Sequence, residues 1–336
     1  MFDALVLEQD DAGKTRVEIR QVDNDFLGED GEVLVAVEYA GVNYKDGLCI
    51  NGLGRLIREF PRIPGVEFSG EVLESRDARY KQGDKVIATG WRIGEVSHGG
   101  YAQRARIKAD QLVPLPASMT TRQAMIFGTP GLTAMFGLQA LEAHGLTPPK
   151  GDEVPEVPEV LVTGAAGGVG SISVALLSAL GYRVAAVTGR IDASGDFLRK
   201  MGAHTLIARD ELSEASSRPL ESERWLSCID NVGGQMLARI LGQLRYGGSV
   251  AAIGNAGGND LPANVLPFLL RGVNLLGIDS VFQPYAHRVT AWQRLASQFP
   301  MEKLEEIVTE INLGSLEETS KAILKGEIQG RCLVCL

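Results

Sequence analysis

The stretch VLVTGAAGGVGSISVALLSAL, residues 160–180, holds four glycines, Gly164, Gly167, Gly168 and Gly170, between an apolar run of strand character and a second run with helical spacing at Val169, Ile172, Leu176 and Leu180. The spacing is G-x-x-G-x-x-G. Residues without a Cβ let the backbone approach a pyrophosphate, and the amides of a helix start face its charge, so Gly167, Gly168, Val169 and Gly170 are the expected cradle of a dinucleotide. The next strand ends in VAAVTGR, residues 184–190. At this place an NAD enzyme carries a carboxylate for the adenosine ribose hydroxyls. Arg190 cannot accept a hydrogen bond, but its guanidinium can pair with a 2′-phosphate, beside the Thr188 hydroxyl and the open Gly189. The expected cofactor is therefore NADPH; Arg209, at the end of the following strand, is read either as a second basic contact or as a solvated arginine.

Strands and helices must place these groups. A chain of 336 residues with 45% hydrophobic and 22% charged residues is globular, and long enough for two domains. Its net charge of −9 gives no general attraction to nucleic acid or to an anionic membrane. The amino terminus, MFDALVLEQDDAGK, carries acids where a secretory signal has basic residues, so a cytoplasmic location is expected. Cys49, Cys228, Cys332 and Cys335 do not make a disulfide framework. Cys332 and Cys335 form a single C-x-x-C in RCLVCL, where strand alternation sends the two thiols to opposite faces.

Up to about residue 120 the chain reads as short strands broken by turns: ALVLE, EVLVAVEYAGV, FSGEVLES, KVIATG and YAQRARI. A helix is predicted from 121 to Gly145, then a polar connector, PPKGDEVPEVPE, over 148–159. Strand and helix alternate from VLVTG to NLLGID, with helices at 169–180 and near 194–202, 210–217 and 234–244, which implies a parallel sheet covered on both faces. The tail returns to helix over 284–298, 301–307 and 316–325 and closes on the strand GRCLVCL.

Several stretches carry a resemblance that spans essentially the whole chain. PGVEFSGEV (64–72), RYKQGDKVIATG (79–90), HGGYAQRARIKADQLVPLP (98–116), GTPGLTAM (128–135) and the glycine turn resemble the medium-chain dehydrogenase/reductase superfamily. Within it, GVNYKDGL (41–48), the IREFPRIPGVEFSG segment, TGWRIGE (89–95), TGR, DNVGG, LRYGGSVAAIG, LPFLLRGVNLLGIDS and EIQGR are similar to the NADPH-dependent acrylyl-CoA reductase group, also labelled quinone oxidoreductase. The resemblance implies an α/β fold in which a GroES-like β-rich catalytic domain, residues 1–124 and 282–336, surrounds a Rossmann domain with a doubly wound parallel sheet, residues 125–281. It implies a homodimer through the last Rossmann strand. It also places Tyr44, Asn255, Leu269 and Ser280 at the cofactor, with Gly326 and Arg331 as further contacts from the tail. In the zinc-bearing branch a histidine precedes the glutamate of the G-x-E-x-x-G turn and a cysteine stands near Asn43. Here the first position is Val66, and no metal is expected.

For an α,β-unsaturated thioester, hydride goes to the β-carbon and a proton to the α-carbon, so the protein must align, stabilise charge on the thioester oxygen and supply a proton. Tyr44 is the first candidate donor, with Asn43, Lys45 and Asp46 as neighbours able to orient it; the alternatives are a cofactor-stacking or packing role for Tyr44, solvent as the proton source, and a structural ion pair between Lys45 and Asp46. Arg55, Arg58, Arg62 and Arg92 are candidates for the phosphates of an acyl-CoA substrate. Packing roles are expected for Trp91 and His98. Two other functions stay open: a quinone or enone reductase, and a nucleotide-binding protein without turnover.

Overall fold

The computed structural model describes residues 1–148 and 159–336, so most of the expected connector lies outside the described residues. In chain order the elements are β1 (Phe2–Gln9), β2 (Thr15–Val22), β3 (Val33–Val42), α1 (Tyr44–Ile50), β4 (Glu67–Ser75), β5 (Lys85–Thr89), β6 (Arg104–Ile107), β7 (Leu112–Pro114) and α2 (Thr121–Ala143). They continue with β8 (Glu159–Val162), α3 (Gly168–Ala179), β9 (Val184–Thr188), α4 (Ile191–Met201), β10 (Thr205–Ala208), α5 (Asp210–Ser213), β11 (Trp225–Asp230), α6 (Gly234–Leu241), β12 (Leu244–Ala252), α7 (Leu266–Arg271) and β13 (Asn274–Gly277). The tail holds α8 (Tyr285–Gln298), α9 (Leu304–Ile307), β14 (Val308–Ile311), α10 (Leu316–Leu324) and β15 (Arg331–Cys335). Two compact units result. The first takes residues 1–129, 280–296 and 307–336, the second 130–279 and 297–306, against the sequence-based divisions at 124 and 281.

The first unit is built on a seven-stranded sheet in the order β14-β15-β3-β4-β5-β7, with β6 also paired to β3. Its core gathers Leu5, Val35, Ile63, Phe68, Tyr101, Ile107 and Val334. β1 and β2 form a separate antiparallel pair, from Phe2 against Val22 to Gln9 against Thr15. β2 escapes a hydrophobicity pattern because half of TRVEIRQV faces solvent and only Val17 and Val22 reach the core. The last strand matters most for the chemistry. β15 enters beside β3 with Cys332 opposite Val42, which sets Arg331 next to the residue that follows β3, Asn43. Cys332 is buried while Cys335 faces Glu310, as strand alternation requires.

The second unit holds a six-stranded sheet in the order β10-β9-β8-β11-β12-β13, parallel throughout. This is the doubly wound order 3-2-1-4-5-6. Its strands are apolar runs such as Val160–Val162 and Val184–Val187, all fully buried, as expected of a sheet covered on both faces. α3 is not one-faced as its spacing predicts. It is buried continuously from Gly170 to Leu177, and Ser173 satisfies its hydroxyl on the Val169 carbonyl at 2.8 Å.

α2 is long and apolar enough to cross a membrane, yet 83% of its most apolar window is buried, which makes it a core helix. It is also two helices. Gly128 breaks the ladder with φ 50° and ψ −153°, Pro130 follows, and the division between the units falls there.

Candidate functional site

In the second unit the chain order reverses between β8 and β11, the place where sheets of this kind bind ligands at their carboxyl ends. The glycine turn leaves β8 here and runs into the amino terminus of α3. A Cβ on Gly170 would stand 2.6 Å from the Ala165 Cα, so the turn closes only with glycine. Three residues that sequence reasoning did not assign buttress it. Thr163 donates its hydroxyl to the buried Asp230 carboxylate at 2.6 Å, Asp230 accepts the Gly233 amide at 2.8 Å, and the Asn231 side chain donates to the Thr163 carbonyl at 2.7 Å. Burial raises the Asp230 carboxyl above its ordinary range, opposed by those same hydrogen bonds. The DNVGG motif was the available signal.

At the end of β9, Thr188 accepts the Arg190 amide at 3.2 Å on its hydroxyl and the Arg209 amide at 2.9 Å on its carbonyl. Three atoms of the Arg209 guanidinium, Cζ, Nη1 and Nε, lie 3.0, 3.1 and 3.2 Å from the point where a Gly189 Cβ would stand. Such near-equal distances mean that the guanidinium plane lies flat against the glycine. The structure thus brings Thr188, Gly189, Arg190 and Arg209 together, with both arginines exposed. The exposed Arg209–Asp210 pair, at 3.8 Å, is too long and too wet to hold Arg209 elsewhere. This arrangement fits a 2′-phosphate. Asn255 lies at the close of β12, its Cα 3.4 Å from where a Gly233 Cβ would sit, while Leu269 stands 72% exposed on α7.

In the first unit Asn43 caps α1, and its amide donates to Asp46 at 2.9 Å. Asn followed by an acid three residues later is a cap signal, and it was the missed pointer to α1. Tyr44, the first helical residue, is 57% exposed. Lys45 and Asp46 do not pair with each other. Lys45 reaches Glu95 at 3.3 Å, and the fully buried Asp46 turns inward to accept the Val66 amide at 3.0 Å. Burial, then the neighbouring Glu67 charge, pushes the Asp46 carboxyl up to about 7, against hydrogen bonds from Asn43, Val66 and Tyr101.

The reading of Arg331 as a cofactor contact is corrected by its surroundings. The side chain is buried; it meets Glu67 at 2.5 Å, the Ile126 carbonyl at 3.0 Å, the Val42 carbonyl at 3.1 Å and the Asn43 amide oxygen at 3.0 Å. Sequence alone could not show that Glu67 takes its charge. Because Asn43 Oδ1 faces this guanidinium, the amide cannot flip, and its Nδ2 points away from Arg331, buried and unpaired. Gly326 follows α10 with φ 69° and has open space around it, the geometry of a helix stop.

The TGWRIGE loop is fixed from below. Arg288, buried, donates to the carbonyls of Thr89, Gln283, Ser280 and Val281 at 2.9, 2.9, 3.2 and 2.7 Å and lies 4.8 Å over the Trp91 ring. Trp91 and Arg92 both take left-handed conformations, φ 53° and 60°, and Arg92 Nε donates to the buried Glu95 at 3.1 Å. Ser280, expected at the cofactor, thus contributes its carbonyl to this knot. His98 packs as expected, accepting the Ile63 amide at 3.1 Å against Phe26. Of the remaining arginines, Arg62 is buried on Glu59 at 3.3 Å, while Arg55 and Arg58 are exposed.

A catalytic zinc would need three ligands here. Val66 offers none, Asn43 is spent on Arg331, and Asp46 and Glu67 are held by backbone amides and by Arg331, so this donor set does not fit the ion. Among the described residues no cluster of three His, Cys, Asp or Glu could hold one.

Two family models match: the alcohol dehydrogenase GroES-like domain over residues 29–117 and the zinc-binding dehydrogenase model over 168–296. The chain is 56% identical to the acrylyl-CoA reductase AcuI of Ruegeria pomeroyi, covering 99% of both chains. It superposes on the yhdH oxidoreductase of Salmonella enterica, solved in complex with NADP, with a TM-score of 0.93, 47% identity and 99% of each chain covered. A third relative is yhfP of Bacillus subtilis, a putative quinone oxidoreductase solved with NAD bound, with a TM-score of 0.93 and 41% identity over 100% of this chain and 99% of that one.

Proposed function

The chain belongs to the medium-chain dehydrogenase/reductase superfamily, and from that premise we propose that it is an NADPH-dependent, zinc-independent reductase of an α,β-unsaturated acyl-CoA, taking acrylyl-CoA to propionyl-CoA. The observation that carries this reading is full-length similarity to an acrylyl-CoA reductase in a chain where β9 and β10 end on two exposed arginines around a glycine. Bound NADPH supplies a hydride to the β-carbon. The Gly167–Gly170 amides hold its pyrophosphate at the positive end of α3, and Arg190 and Arg209 meet the 2′-phosphate, with Thr188 bracing the turn between them. Asn255, Leu269 and Ser280 are proposed as further contacts. Tyr44, exposed at the head of α1, delivers the proton to the α-carbon and is resupplied from solvent. Lys45, steered by Glu95, keeps a positive charge beside that tyrosine and favours negative charge on the thioester oxygen. Asp46 acts only through the cap it makes. In sum, NADPH, a proton and the enoyl thioester give NADP⁺ and the saturated thioester.

Two copies pair through the edge of β13, and the enzyme works in the cytoplasm, where its four free cysteines stay reduced. Quinone reduction is the second reading, supported by the likeness to yhfP. Steady-state NADPH oxidation with acrylyl-CoA, crotonyl-CoA and a simple quinone in parallel separates them. The highest kcat/KM is expected for acrylyl-CoA, and a preference for the quinone would reverse the assignment. Tight NADPH binding without oxidation by any acceptor would leave a non-catalytic nucleotide-binding protein.

A further inference from the structure

The four loop arginines that could meet a phosphorylated substrate are sorted by their surroundings. In the first unit Arg62 is spent on Glu59 and Arg92 on Glu95, as Arg16, Arg20, Arg79 and Arg106 are on Asp10, Glu8, Asp77 and Glu74. Arg55 and Arg58 differ. Both are exposed, and among the described residues neither makes an ion pair or a side-chain hydrogen bond; the neighbouring carboxylate, Glu59, is turned to Arg62 at 3.3 Å. In a protein of net charge −9 two uncompensated arginines on one short loop are a local positive site.

The loop that carries them is exposed but not loose. Gly52, Gly54 and Arg55 take φ of 65°, 71° and 49°, a sharp left-handed bend that a residue other than glycine seldom adopts. The Gly52 amide donates to Cys49 at 3.1 Å, the Leu53 amide to Leu48 at 2.8 Å, and the Asn51 side chain to Gly47 and Ser320 at 2.8 and 2.9 Å. Just beyond the bend Leu56 and Ile57 pack against the core. Side chains anchored inward at 56 and 57 leave Arg55 and Arg58 projecting outward on a fixed backbone. The bend follows directly on α1, whose seven residues run about 10 Å from Tyr44.

Resting on the reading that the substrate is an acyl-CoA, we propose that Arg55 and Arg58 form the subsite for the phosphates of its coenzyme A moiety, with Leu53, also exposed, beside them. Tyr44 at the head of α1 and the two arginines past its tail match the two ends of the substrate. The reacting thioester and the phosphates are separated by the pantetheine arm, so one end needs chemistry and the other only charge. A planar guanidinium pair suits the phosphate oxygens.

The test compares acrylyl-CoA with acrylyl-pantetheine, which keeps the thioester and lacks the nucleotide and its phosphates, in the wild-type enzyme and in the Arg55→Glu/Arg58→Glu variant. The variant should raise KM for acrylyl-CoA by about tenfold or more, leave kcat nearly unchanged, and leave KM for acrylyl-pantetheine and for NADPH within about twofold. Raising the salt concentration should weaken the wild-type preference for acrylyl-CoA. An unchanged KM for acrylyl-CoA, or an equal loss with both thioesters, overturns the subsite while wild-type turnover of acrylyl-CoA leaves the proposed function standing. Failure of the wild type to reduce acrylyl-CoA, with a quinone turned over instead, refutes the function and the subsite together. Each arginine changed singly to Ala, with an unaltered Tm, separates lost charge from lost folding.

Discussion

Gly189 acts by having no side chain. The Arg209 guanidinium rests on it, and a Cβ there would stand 3.0 Å from Cζ, tighter than a side chain in contact tolerates. Gly189→Ala should push Arg209 off its seat and raise the NADPH dissociation constant by about fivefold, while Arg190→Ala should raise it by about tenfold or more. NADH affinity should move little in either variant. Equal losses for the two nucleotides in a fluorescence titration would remove both residues from phosphate recognition. A second residue gives a pH signature. The Asp46 carboxyl sits near 7 when folded against an ordinary 3.8, so the folded state binds more protons across that window. Its contribution to stability is fully present at acid pH and is lost as the pH rises through about 7, with a slope of at most about 1.4 kcal/mol per pH unit. His98 works in the opposite sense. Burial, then the Arg62 charge, lowers it to about 4, so its contribution is present above its ordinary 6.5 and is lost as the pH falls towards 4. The wild-type curve blends the two slopes, and the Asp46→Asn variant separates them. The wild type should be more stable than the variant, since an amide must turn its NH2 towards the Asn43 or Val66 amide, and the margin should shrink between pH 5 and pH 8 in urea unfolding. A margin that grows with pH would refute the raised Asp46.

At the scale of elements the first unit depends on a buried ion pair that stands between strand and helix. Glu67 on β4 and Arg331 on β15 fill the space beside two backbones, that of Gly41 in β3 and that of Gly128 at the break in α2. A side chain at either glycine would overlap the Glu67 carboxylate, and Gly128 also holds φ 50°. Gly128→Ala should therefore cost about 3 kcal/mol or more, read as a lower urea midpoint at unchanged m-value. A loss below about 1 kcal/mol would mean that the pair moves aside at little cost. The same elements show what a sequence makes legible. The dinucleotide turn, the strand after it and the closing arginine are local in sequence, so pattern and spacing suffice to find them. Glu67 and Arg331 are 264 residues apart, and nothing local announces that the register of β15 on β3 will set one against the other. Arg331 was legible as a functional arginine near the tail and illegible as the partner that fixes the Asn43 amide. β2 was lost for a different reason: only Val17 and Val22 of this hairpin strand reach the core, too few to write a face into its pattern.

For the whole molecule the open question is the edge of the second sheet. Among the described residues β13 pairs with β12 alone, so its other side presents amides and carbonyls without a strand partner. A parallel sheet seldom leaves such an edge uncovered, and native proteins blunt exposed edges with charge, proline or a covering element. The elements that precede it in the chain carry exposed apolar side chains. Val265, Leu269 and Leu270 on and before α7 are 64%, 72% and 60% exposed, and Tyr246 in β12 is 79% exposed. A two-fold contact would cover such side chains and the open strand together, because a strand paired with its own symmetry copy closes both edges at once. Light scattering at micromolar concentration should give twice the chain mass of 36.0 kDa. Val265→Asp/Leu270→Asp, which adds charge at positions that already face solvent in one copy, should shift that mass to the monomer and make Tm independent of protein concentration. A wild type that stays at the single-chain mass would refute the pairing.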